Sequence, residues 1–222
     1  MSYEAGIKGK AAEGRIRFDA DVFYYRLKDM QLTAVGGGAN FNRLLNADHA
    51  DGYGFEFNAE AEPIDRLILT AGLSYNHTKL DDPNLFTQPC GGGCTVLDPV
   101  GPIAGTVRID GNSLPNAPKW IANVSAGYSW PVYDGEFFVY TDWAYRSNIN
   151  FFLYKSAEFH DDSLLEGGFR VGWKAPGDHW EFAVFGRNIT NDRSLEGGID
   201  FDNLTGFVND PRVLGVEVKA KY

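Results

Sequence analysis

The sequence predicts an all-β protein, a segment of an antiparallel up-and-down transmembrane β-barrel with about nine long strands. Three observations point there. Apolar and polar residues alternate with period two along almost the whole chain, which marks strands with one greasy and one wet face. The links between these stretches are short and long by turns. Aromatic residues make up 14% of the chain and gather near the ends of the alternating stretches.

The strands follow in order. Residues 3–11 open the series, and residues 15–30, RIRFDADVFYYRLKDM, set Ile16, Phe18, Ala20, Val22 and Tyr24 against Arg15, Arg17, Asp19 and Asp21. Residues 52–61 place Tyr53, Phe55, Phe57, Ala59 and Ala61 opposite Gly54, Glu56, Asn58 and Glu60. Next, Leu67, Leu69, Ala71, Leu73 and Tyr75 oppose Thr70, Gly72, Ser74 and Asn76. Residues 120–130 alternate Trp120, Ala122, Val124, Ala126, Tyr128 and Trp130 with Asn123, Ser125, Gly127 and Ser129. Phe137, Val139, Thr141, Trp143 and Tyr145 face away from Glu136, Asp142 and Arg146, although Phe138 and Tyr140 blur the polar side. Leu165, Gly167, Phe169, Val171 and Trp173 oppose Glu166, Arg170 and Lys174, and Trp180, Phe182 and Val184 oppose Glu181 and Arg187.

Tight turns are expected at 13–14, 63–65, 131–135 and 176–178, and long links at 31–50, 81–118, 151–163 and 191–211. That arrangement fits a barrel with short periplasmic turns, long external loops, an apolar face toward lipid and a polar face toward the lumen. Arg17, Asp19, Glu56, Asp142, Arg146, Arg170 and Arg187 are then lumen-facing. A soluble β-sandwich also alternates, but its strands are usually shorter, and aromatics at strand ends suit interfacial girdles.

The chain closes on PRVLGVEVKAKY. Val216, Val218 and Tyr222 share the apolar face of this last strand, and a terminal aromatic in that phase resembles the signal read by the outer-membrane barrel assembly machinery.

The segments LLNADHADGYGFEFNAEAEPIDRLILTAGLSYNHTKL, LPNAPKWIANVSAGYSW, EFAVFGRNITND and PRVLGVEVKAKY together resemble the C-terminal portion of a TonB-dependent receptor. The resemblance covers most of the chain. It implies a barrel of about 22 strands, of which these are the last, in the outer membrane of a Gram-negative bacterium. It also implies energy-coupled uptake of a scarce nutrient, an iron-siderophore complex, with TonB acting through a plug domain. The plug, the N-terminal strands and a signal peptide are expected outside this chain, which reads as a fragment. The functional alternatives are a passive porin and a soluble sugar-binding β-sandwich.

A net charge of -10, from 30 acidic and 20 basic residues, argues against a surface that neutralises nucleic-acid phosphates. Cys90 and Cys94, in CGGGC, read as a local disulfide, with a metal site or free thiols as alternatives. Ligand-binding candidates sit in the external loops: Phe151, Phe152 and Tyr154 for stacking, Asp200 and Asp202 for polar contact. No catalytic motif is present, so no enzyme, cofactor or resident metal is expected. The expected partners are outer-membrane lipid, the assembly machinery, TonB and a small-molecule ligand.

Overall fold

The structure, a computed structural model, describes residues 1–37, 41–200 and 204–221. Nine strands form one antiparallel sheet in chain order. They are β1 (Ser2–Ala11), β2 (Ile16–Gly36), β3 (Phe41–Ala61), β4 (Leu67–Asp81), β5 (Trp120–Val132), β6 (Gly135–Arg146), β7 (Leu164–Lys174), β8 (Trp180–Arg187) and β9 (Val213–Ala220). Each strand pairs with its chain neighbour, so β1 and β9 are the two edges.

The short links fall where expected, with one adjustment. Pro131 is not in the turn: it lies in β5 opposite Glu136, and the turn is Tyr133 and Asp134 alone. Their φ angles of 52° and 59° give the left-handed pair that a two-residue hairpin needs to match strand twist.

The expected loop at 31–50 is largely a strand hairpin instead. β2 continues to Gly36 and β3 restarts at Phe41, with Leu32 opposite Leu45 and Ala34 opposite Arg43. Asp29 takes a left-handed φ of 51° inside β2. Below that point the even residues face outward, as Val22 does; beyond it Leu32 and Ala34 are buried. A local kink of this kind re-aims the side chains that follow it.

Among the described residues no second layer covers the outward face of the sheet. The buried apolar core gathers Leu32, Ala34, Ala47, Ala50 and Leu80 from strand ends with Leu85, Ile109, Ile149, Phe151, Leu153 and Phe159 from the loops. The outward wall stays bare, with Val216 79% and Ile7 61% exposed. A sandwich buries that face against another sheet, whereas a barrel wall turns it to lipid. Phe55, Tyr75 and Trp120 cluster on this face at the loop end, with ring centroids 4.8 to 6.2 Å apart. Trp130 and Phe137 meet at 4.8 Å at the turn end. Two aromatic tiers thus bound the apolar band.

Candidate functional site

The pleat sets the opposite face. Cross-strand register aligns Arg17 with Glu60, Asp19 with Asn58 and Glu56 with Asp21. It also aligns Asp142 with Gly168 and Arg170 with Tyr140. Arg17, Asp19, Glu56, Asp142, Arg146, Arg170 and Arg187 therefore share one face of the sheet. The glycines on this face make room for aromatics: a Cβ at Gly54 would meet the Phe23 ring at 2.8 Å, and one at Gly172 would meet the Phe138 ring at 2.6 Å.

Toward the turn end the inner face is saturated with charge pairs. Arg170 is held by Glu181 and Glu217, and Lys219 pairs with Glu217 at 2.8 Å. Lys174 pairs with Glu136 at 2.9 Å, and the Arg170 guanidinium lies 4.8 Å over the Phe138 ring. Phe138, an apparent break in the polar alternation, is thus the platform under two cations.

Above this network lies a hollow of about 530 Å³ lined by Tyr140, Asp142, Glu166, Phe185 and Arg187. Asp142 and Arg187 are exposed, and the Asp142 carboxylate leans over Gly168, where a Cβ would meet its Oδ1 at 2.8 Å. Among the described residues the Asp142 carboxylate and the Arg187 guanidinium of this hollow make no hydrogen bond or ion pair, and Arg187 lies 6.0 Å over the Phe185 ring.

The long links pack on one another and on the strand ends as a roof at the loop end of the sheet. Gly37 N–H donates to the Pro89 carbonyl at 2.7 Å, tying the β2–β3 hairpin to the loop after β4. Leu97 N–H donates to Lys155 and Ala157 N–H to Thr95, so that loop pairs with the one after β6. Asp98 accepts from the Asn112 amide and from Lys155 N–H. The Glu158 carboxylate accepts from Thr95 N–H at 2.8 Å, which holds its pKa below the usual glutamate range. Cys90 and Cys94 are joined by a disulfide, with Cα atoms 6.1 Å apart, beside the apolar core.

The candidate ligand residues lie inside this roof rather than on it. Tyr154 and Asp200 are each 1% exposed, and the Tyr154 hydroxyl donates to the Asp200 carboxylate at 2.7 Å. Burial, and then the neighbouring carboxylate, push the Tyr154 phenol pKa up. Phe151 is buried in the same core, and only Phe152 keeps partial exposure, stacked on Tyr154 at 5.6 Å. Phe151, Tyr154 and Asp200, expected to face a ligand, are buried in the roof, whose packing they fill. Asp202 and Tyr222 lie outside the described residues.

Arg146 also departs from a simple lumen role. It pairs with Asp161 at 2.6 Å and donates to the Leu195 carbonyl, joining two loops at the rim. Sequence reasoning missed the fasteners Asn188 and Asn209. The Asn188 amide donates to the Asp192 and Asp210 carbonyls, and Asn209 donates to Glu166. The only trace of Asn188 in the sequence is its place in NITND, directly after a strand. Among the described residues no group of three or more His, Cys, Asp or Glu converges as a metal set.

Comparison with known proteins fits this architecture. The family model "TonB dependent receptor-like, beta-barrel" matches residues 1–191. The ferric-pyoverdine M114 receptor PbuA of Pseudomonas sp. (strain M114) is 25% identical over the whole chain, which covers 24% of that protein. The crystal structure of the ferric yersiniabactin uptake receptor FyuA from Yersinia pestis superposes with a TM-score of 0.74 at 18% identity. It is matched over 100% of this chain and 29% of its own. The siderophore receptor PiuA from Acinetobacter baumannii gives a TM-score of 0.69 at 15% identity, over 98% of this chain and 27% of its own. The chain thus spans about a quarter of the length of its relatives. It belongs to the TonB-dependent receptor-like β-barrel family, whose place is the outer membrane of Gram-negative bacteria.

Proposed function

We propose that this chain is part of the barrel of an outer-membrane receptor that takes up a ferric siderophore with energy relayed by TonB through a plug domain. The observation that carries the reading is the bare apolar wall joined to a packed external roof, in a chain of the receptor family. A lipid-facing wall places the protein across a membrane, and a roof of cross-linked loops suits selective capture at the cell surface better than free passage. The names of PbuA, FyuA and PiuA, each an iron-chelate or siderophore receptor, support the substrate class. The plug and the remaining wall are assigned to sequence beyond these residues. Phe152 and the hollow between Asp142 and Arg187 are the surfaces of this chain offered to ligand.

The test is uptake. A strain lacking the receptor should lose accumulation of one radiolabelled ferric siderophore under iron limitation and regain it with the gene, only while the proton gradient is intact. Uptake that persists after the gradient is collapsed overturns energy coupling, and steady ion conductance by the purified receptor in planar bilayers favours a porin.

A further inference from the structure

The outward wall carries charge in one place. Among the described residues of the nine strands, the charged side chains that cross-strand register sets on that face are Arg26 and Lys28 of β2, Asp51 of β3, and Lys79 and Asp81 of β4. They stand in two adjoining rows, one of Arg26, Asp51 and Lys79, the other of Lys28, His49 and Asp81. The row beneath is aromatic, Tyr24, Tyr53 and His77, with the His77 ring 4.8 Å from that of Tyr53. Below it, on the same strands, Val22, Phe57 and Leu73 join Ala5, Ile7 and Ala20 in lining an apolar trough of about 630 Å³.

The charges in these rows are not all matched in place. Arg26 and Asp51 satisfy each other: the guanidinium donates to both carboxylate oxygens, at 2.7 and 2.6 Å, and the Tyr24 hydroxyl adds a bond at 3.3 Å. A carboxylate held on both oxygens has little left for Lys79 beside it. Lys79 instead reaches Asp81 at 3.4 Å, with side chains 46% and 43% exposed, a contact that water and salt largely screen. Lys28 is exposed and has no hydrogen bond or ion pair among the described residues. Two ammonium groups thus stand just beyond the aromatic row. In a wall turned to lipid, such a row marks the interface, and the rows beyond it lie at headgroup depth. Two strand spacings and one row separate positions 28 and 79, about 12 Å, so their long side chains can flank one headgroup.

We infer that Lys28 and Lys79 bind the phosphate groups of an outer-leaflet lipid headgroup, whose acyl chains lie along the apolar trough beneath. Cations, aromatic row and trough follow one another down the same strands in the order of a lipid's own parts. A free phosphate has no use for the trough, so the lipid is the source that the wall favours. The inference rests on the lipid-facing wall and not on the cargo of the receptor.

The receptor that carries this chain, purified in detergent, can be offered fluorescent diphosphoryl lipid A and the same lipid stripped of phosphate. The phosphorylated lipid should bind about tenfold more tightly. A Lys28→Gln/Lys79→Gln variant should lose that preference, while Lys8→Gln/Lys10→Gln, the same change of charge on the inner face, should keep it. In the unaltered receptor the phosphorylated lipid should protect Lys28 and Lys79 from acetylation, read by mass spectrometry. Equal binding of the two lipids, a preference that survives in Lys28→Gln/Lys79→Gln or falls alike in both variants, or protection confined to other lysines overturns the site. Displacement of the lipid by inorganic phosphate at equal concentration overturns the lipid as its source. A failure of ferric-siderophore uptake leaves the site standing.

Discussion

Arg146, the last residue of β6, pairs with Asp161 across 2.6 Å, with side chains only 17% and 11% exposed. The other Asp161 oxygen accepts from Leu195 N–H, and the Arg146 guanidinium reaches the Asp162 and Leu195 carbonyls. One ion pair thus fixes the loop after β6 to the loop after β8. Removing one partner leaves the other charge buried and uncompensated, which costs about 3 kcal/mol or more. Asp161→Asn should therefore make 147–163 and 191–200 the first segments cut by protease, while the detergent-embedded strands keep their circular dichroism. If the cutting pattern matches wild type, the pair does not hold the rim.

The Tyr154–Asp200 bond gives the roof an alkaline limit. The Tyr154 pKa is raised by burial and then by the adjacent carboxylate, so the folded state holds that proton more tightly than the unfolded chain does. Its contribution is complete below the ordinary tyrosine value of about 10 and is lost as pH rises through the folded value. Of the 11 tyrosines, Tyr154 should ionise late in an absorbance titration at about 295 nm, together with roof opening. In Tyr154→Phe that late step disappears, and the loss of the bond to a buried carboxylate should lower roof stability by about 2 kcal/mol.

The disulfide acts on the same roof by another route. Cys90 and Cys94 are four residues apart, and closing so small a loop contributes about 2 kcal/mol by restricting the unfolded chain. Replacing both with Ser should lower the unfolding temperature of the roof and speed hydrogen exchange at 85–98, where Leu85 and the cystine share one core. Exchange at Leu69 and Val124, in the wall, should not change.

Period-two alternation survives in any sequence that must show lipid one face and water the other, so the nine strands and their inner face were legible from the residues. The upper half of the β2–β3 hairpin was not. At Asp29 the left-handed residue exchanges the buried and exposed parities, and glycines at 36 and 37 then read as a loop. The burial of Phe151 and Tyr154 was hidden for a different reason. An aromatic in a loop has the same letter whether it faces a ligand or a core, and the partner that decides, Asp200, lies 46 residues from Tyr154. The charge fasteners are equally non-local: Asp98 meets Lys155 and Glu158 meets Thr95.

Asn188 tests how much of the roof depends on one amide. Its Nδ2 donates to two carbonyls, those of Asp192 and Asp210, while its Oδ1 accepts from Asp192 N–H and the Thr190 hydroxyl. The side chain is buried, and its backbone holds a φ of 44°. Two separate properties meet here, a hydrogen-bond hub and a left-handed turn that asparagine and glycine tolerate. Substitutions separate them. Asn188→Gly keeps the turn and loses the hub, at a cost of about 2 kcal/mol. Asn188→Ala loses both, and the left-handed backbone adds about 1 kcal/mol more. Denaturant unfolding of the roof should therefore rank wild type above Asn188→Gly, and Asn188→Gly above Asn188→Ala. If the two variants unfold alike and below wild type, the turn relaxes freely and the amide alone matters; if both match wild type, the two loop stems are held by Asn209 and the rim ion pair without it.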